Sequence, residues 1–138
     1  MKAFFADTFY WISLTNPDDA AHPAAVAFDA SKHRPALVTT EEVLTEFLTF
    51  FGSKGPFLRR KAVAVARSIL GDKTIRVLPQ THESFSAGLE LYAARPDKGY
   101  SLPDCISMET MSREDLTEVL TNDRHFEQEG FHPVFREP

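Results

Sequence analysis

The sequence predicts an α/β fold with a central parallel sheet of four to five strands, on three observations. Short apolar runs alternate with segments of helical period along the chain. Those runs are apolar at consecutive positions, as strands covered by helices on both faces require. The 138 residues contain no repeat, no low-complexity tract and no linker, so 1–138 reads as one domain.

The elements follow in order. Ala3-Phe4-Phe5-Ala6 is the first strand and ends at Asp7. A helix starts at about Thr8, and Asn16-Pro17-Asp18 restarts a second one that runs to roughly Lys32. After Pro35, Ala36-Leu37-Val38-Thr39 is the second strand. Thr40 then caps a helix with Glu41 and Glu42 in its first turn and Val43, Phe47 and Phe50 on one face. Gly52 and Gly55-Pro56 break it. Leu58, Ala62, Val65 and Ile69 then recur at spacings of 4, 3 and 4, marking an amphipathic helix that Gly71 ends.

Thr74-Ile75-Arg76-Val77-Leu78 is the third strand. Phe85, Leu89 and Tyr92 recur at helical spacing and mark the next helix, which Pro96 stops. Ser101 caps a further helix, with Pro103 in its first turn and Leu102 and Ile106 facing inward. Glu118–Thr121 is the fourth strand, and Pro133-Val134-Phe135 a short fifth at a sheet edge, where proline is tolerated.

Composition excludes several classes. Hydrophobic residues make up 43%, which rules out disorder. The one thiol, Cys105, forbids an intramolecular disulfide and fits a cytoplasmic setting. No apolar run approaches the ~20 residues of a membrane helix, and Met1–Phe9 is too short and too broken for a signal sequence. The five histidines show no zinc spacing, and no phosphate-binding glycine motif occurs. Asp7-Thr8-Phe9 lacks the second Asp of a haloacid-dehalogenase-type start.

In a parallel sheet, ligands bind beyond the carboxyl ends of the strands, near the point where strand order reverses. Asp7 ends the first strand and Asp123 follows the fourth. Asp104 lies in the first turn of the helix capped by Ser101, and Glu46 lies one turn into the helix after the second strand. Gathered in one pocket, four carboxylates repel one another and call for a hard cation with oxygen ligands, Mg²⁺ or Mn²⁺. Such a centre polarises a phosphodiester, activates water and stabilises the leaving oxygen. The alternative gives Asp7, Asp104 and Asp123 plain capping or turn roles and turns Glu46 to solvent.

Four blocks carry a family resemblance: Phe4-Phe5-Ala6-Asp7-Thr8; Thr39-Thr40 with Val43-Leu44-Thr45-Glu46; Ser101-Leu102-Pro103-Asp104-Cys105-Ile106-Ser107; and Thr121-Asn122-Asp123-Arg124-His125-Phe126 with Gly130. In this order they resemble a PIN domain, and most nearly the VapC-like toxin ribonucleases. The resemblance implies a three-layer α/β/α fold with strand order 3-2-1-4-5. It implies Mg²⁺- or Mn²⁺-dependent cleavage of single-stranded RNA by a homodimer that a cognate antitoxin silences. Asp7, Glu46, Asp104 and Asp123 match the family's acidic quartet, with Asp7, Asp104 and Asp123 as metal holders. Thr8 and Thr121 match its hydroxyl positions, and Ser107 and Asn122 sit beside the site. A housekeeping PIN nuclease without an antitoxin and a catalytically silent binding module are the competing functions.

The formal charge of −5 hides a segment of opposite sign. Lys54, Arg59, Arg60, Lys61, Arg67, Lys73 and Arg76 face the single acid Asp72 between positions 54 and 76. A solvated helix face is one reading of that strip. Beside an acidic metal pocket, Lys54, Arg59, Arg60, Lys61 and Arg67 become the residues expected to track an RNA backbone. His125 is expected to pack or hydrogen-bond at the turn beside Phe126, with a proton-donor role as the alternative, and Cys105 to behave as a small core residue. Tyr10, Trp11, Phe47, Phe50 and Phe51 are expected in the core, with part of that aromatic surface left for a dimer or antitoxin contact.

Overall fold

Five strands, β1 (Phe4–Ala6), β2 (Leu37–Thr40), β3 (Ile75–Leu78), β4 (Glu118–Leu120) and β5 (His132–Pro133), form one sheet in a computed structural model that describes residues 2–137. All pairings are parallel and the order is β3-β2-β1-β4-β5. Phe5 at the centre pairs with Val38 on one side and Val119 on the other. Every residue of β2 is buried, although alternate side chains point to opposite faces, so helices cover the sheet on both sides. These features make the three-layer α/β/α arrangement. The edge strand β5 is shorter than its apolar run, but the ladder continues past Pro133, where the Val134 amide donates to the Val119 carbonyl at 2.9 Å.

The helices are α1 (Thr8–Thr15), α2 (His22–Asp29), α3 (Glu41–Gly52), α4 (Pro56–Gly71), α5 (His82–Ala94), α6 (Leu102–Arg113) and α7 (Arg124–Gln128). Helix α2 starts later than the expected Asn16-Pro17-Asp18 and stops before Lys32. The Asn16 carboxamide accepts the Asp18 amide at 3.0 Å and the Asp19 carboxylate accepts the Ala21 amide at 2.9 Å. These side chains hold the backbone in turns, which delays the helix to His22 with Pro23 in its first turn.

One core face is rotated from expectation, and another lies beside the apolar stripe that marks its helix. In α3 the buried set is Val43, Leu44, Phe47 and Phe51, and Phe50 sits half-exposed one position round the helix. In α5 the buried face is Ser84, Gly88 and Leu91, whereas Phe85, Leu89 and Tyr92 are exposed. The cause is a close approach of α5 to α6. A Cβ at Gly88 would lie 2.3 Å from Ile106 Cγ1 and 3.1 Å from the Ile106 backbone nitrogen. Only glycine admits that contact, so it outweighs the apolar stripe in orienting α5.

Gly88→Ala should therefore destabilise the protein by about 1–3 kcal/mol through overpacking. That loss outweighs the roughly 1 kcal/mol that alanine gains as a helix former. The variant's urea midpoint is expected to fall; a midpoint equal to or above that of the parent would contradict the packing.

Tyr10, Trp11, Phe47, Phe51 and Cys105 all lie in the core, each 2% exposed or less. Among the described residues, no helix is long and apolar enough to cross a membrane.

Candidate active site

The strand order places its reversal between β1 and β4, where one connection leads to β2 and the other to β5. Asp7 leaves the carboxyl end of β1 and Thr121-Asn122-Asp123 that of β4. A cleft of about 540 Å³ opens there, with Asp7, Thr8, Glu46, Thr121, Asn122 and Asp123 in its walls.

Asp7 precedes α1 but makes no side-chain capping bond, so a cap does not account for it. Its carboxyl is 8% exposed and is pushed up to about 7. Burial is the main cause, followed by the charge of Asp104 and then that of Glu46, against hydrogen bonds from the Thr8 amide and the Thr121 hydroxyl. Glu46 is half-buried and turns to the cleft rather than to bulk solvent, where its Oε1 accepts the Thr8 hydroxyl.

Asp104 sits one turn into α6 because Ser101 caps that helix by accepting the Asp104 amide at 3.1 Å. Its carboxyl is pushed up to about 6, first by burial and then by the charge of Asp123. Asp123 does cap a helix: its Oδ1 accepts the His125 amide at 2.9 Å. The same carboxylate lines the cleft, so capping and pocket roles coexist in one residue. Among the described residues, none of the four acids pairs with a Lys or Arg. Neither Asp104 nor the buried Ser107, both on α6, is part of the cleft wall; Asp104 lies beside it, near Asp123 and His125.

Phe9, Ile12, Phe50 and Arg124 also line the cleft, and none of them was singled out for it by the sequence reading. Lys54 follows Phe50 just past the end of α3, and its Nζ lies 4.5 Å from the centroid of the Phe50 ring. His125 sits at its turn with Nδ1 3.4 Å from Asp123 Oδ1 and 3.9 Å from Asp104 Oδ2.

The basic segment divides in space. Arg59, Arg60 and Arg67 are exposed along α4, and the Arg59 guanidinium donates to the Gly52 carbonyl at 2.8 Å. Lys73 and Arg76 line a cavity with Ala3, Ala36 and Leu37, at the amino ends of the strands and opposite the acids. Arg76 is paired there with Glu114.

The oxygen-rich donor set fits a hard divalent cation. It gathers carboxylates that, among the described residues, make no ion pair with a Lys or Arg, and it holds two of them well above their usual range.

The PIN domain family model matches residues 4–131. Among solved structures, VapC20 of Mycobacterium tuberculosis, described as a sarcin-ricin loop cleaving toxin, superposes with a TM-score of 0.85 at 29% identity. That match covers 96% of this chain and 98% of VapC20. FitAcB from Neisseria gonorrhoeae shares the fold, with a TM-score of 0.63 at 14% identity over 94% of this chain and 95% of its own. No curated protein sequence matches the chain.

Proposed function

The chain belongs to the PIN domain family, and from that premise we propose that it is a Mg²⁺- or Mn²⁺-dependent endoribonuclease, the toxin of a toxin–antitoxin pair. The observation that supports this reading is that Asp7, Glu46 and Asp123 line one cleft at the reversal of strand order, with the charge of Asp104 raising Asp7 and no Lys or Arg ion-paired to these acids among the described residues. The single domain 1–138 acts on single-stranded RNA in the cytoplasm. VapC20, at 29% identity, makes the sarcin-ricin loop the first RNA to assay.

Asp7, Asp104 and Asp123 hold the cation, and Glu46 completes the shell or orients the attacking water. The cation supplies charge for the transferring phosphoryl oxygens and lowers the pKa of water. The Thr8 hydroxyl fixes the Glu46 carboxylate, and the Thr121 hydroxyl oxygen, which accepts the Asp123 amide at 3.3 Å, holds the Asp123 backbone at the cleft. Asn122 is placed to hold water or phosphate at the cleft wall. The test is cleavage-site mapping on single-stranded RNA with Mg²⁺ or Mn²⁺, run with the parent and Asp7→Asn side by side. Cleavage by the parent that survives EDTA overturns the reading.

RNA enters over Phe50 and Lys54 and continues along Arg60, Lys61 and Arg67 of α4. Arg59 contributes less, since its guanidinium is engaged by the Gly52 carbonyl. In an Asp7→Asn background, Lys54, Arg60 and Lys61 all changed to Ala should weaken RNA binding. The slope of log affinity against log salt should fall by about 2, at ~0.7 per phosphate contact. An unchanged slope removes the assignment.

The exposed stripe Phe85, Leu89 and Tyr92 on α5 is the surface for a homodimer or for the antitoxin. Light scattering of the pure chain distinguishes the two, a monomer excluding the dimer. A small open reading frame beside the gene supports the antitoxin.

A further inference from the structure

The His125 ring is held from several sides. Its own amide is tied to Asp123 Oδ1 at 2.9 Å, and its ring lies 5.3 Å from that of Tyr100. Tyr100 is anchored in turn, its hydroxyl donating at 3.1 Å to Glu129, which Arg95 grips through two bonds at 3.0 and 2.9 Å. This frame sets Nδ1 beside Asp104 and Asp123. The atom is sealed from solvent and, among the described residues, has no hydrogen-bond partner. A buried nitrogen left unmatched costs free energy, and native proteins rarely leave one without a use. Atoms of Asp104, Asp123 and His125 that can ligate lie within 4.8 Å of one another. The Nδ1 separations of 3.4 and 3.9 Å fall in the range, roughly 3–4 Å, between donors on one octahedral ion with bonds of about 2.1 Å.

We propose that His125 Nδ1 is a nitrogen ligand to the divalent cation, beside Asp104 and Asp123, and that it biases the site toward Mn²⁺ over Mg²⁺. The inference rests on the metal-dependent reading above and adds a residue and a selectivity to it. Mg²⁺ is satisfied by oxygen ligands and water, whereas an imidazole gains more from a later, softer ion. Nitrogen enters this otherwise all-oxygen set through a residue two positions after one ligand, so the turn that caps α7 also delivers the imidazole.

The test uses Mn²⁺ and Mg²⁺ alone, without RNA. Pulsed electron paramagnetic resonance of Mn²⁺ bound to the parent should show coupling to a ¹⁴N nucleus. Growth on ¹⁵N-histidine should convert that signal to ¹⁵N, with no substitution needed. His125→Ala and His125→Asn should both lose the coupling. By calorimetry their Mn²⁺ affinity should drop about 10-fold or more, with Mg²⁺ affinity changed by less than about 3-fold. Bound Mn²⁺ without nitrogen coupling in the parent, or an unchanged Mn²⁺/Mg²⁺ ratio in both variants, overturns the proposal and leaves the all-carboxylate metal site standing. A parent that binds neither ion overturns both readings together.

Discussion

Asp7→Asn is expected to abolish EDTA-sensitive RNA cleavage, a loss of about 10³-fold or more if the cation contributes roughly 4 kcal/mol to the barrier. The substitution is isosteric and removes one anionic donor from the centre of the cluster. The fold should tolerate it. Asp7 makes no capping bond that α1 depends on, and the Thr8 amide and Thr121 hydroxyl can donate to the carboxamide oxygen instead. The change also removes a buried charge that Asp104 and Glu46 oppose. Two readouts therefore move in opposite directions: cleavage disappears, while the metal-free melting temperature at pH 8 holds or rises. Retained cleavage would overturn the assignment of Asp7. A circular dichroism melt run beside the assay separates a dead site from an unfolded chain.

Much of this site was legible because local chemistry fixed it. Asp7 and Asp123 had to fall at the carboxyl ends of neighbouring strands once the alternation gave a parallel sheet. Asp104 was placed by the Ser101 cap, a short-range signal that the structure shows in full. The rest depended on contacts distant in sequence. The stripe Phe85, Leu89 and Tyr92 marks a helix without fixing its rotation, and Gly88 meeting Ile106 turns that helix so that the stripe faces outward. Phe50 was assigned to the core by its apolar spacing, and its place at the cleft came from α3 packing through Phe51 instead. Apolar period gives the existence of a helix; the rotation of that helix is set by the tightest tertiary contact. The nearness of His125 to Asp123 is local, two residues apart, whereas its nearness to Asp104 depends on a different helix and is not legible in the sequence.

Without a divalent ion, the protein should lose stability as pH rises from about 4 to 7. Asp7 titrates near 7 in the folded chain and near 3.8 when unfolded, and Asp104 near 6 against the same reference. Below pH 4 both states hold these protons and no difference arises. Above it the unfolded chain ionises while the folded one keeps its protons, so each further unit of pH costs up to about 1.4 kcal/mol per group. The stability these groups contribute is fully present below pH 4 and gone above pH 7. Because the two acids are coupled, the sum is on the order of a few kcal/mol, or roughly 5–15 °C in melting temperature for a chain of this size. In EDTA the parent should therefore melt progressively lower between pH 4.5 and 7.5, measured as the difference from Asp7→Asn. That subtraction removes carboxylates of opposite sign, such as Asp72 and Glu129, whose hydrogen bonds hold them below their usual range. Added Mn²⁺ should restore the melting temperature at pH 8 and do little at pH 4.5, where protons occupy the ligands. A difference curve that is flat or rises with pH would contradict the buried, mutually repelling cluster. Recovery by Mn²⁺ that is equal at both pH values would contradict the identity of its ligands.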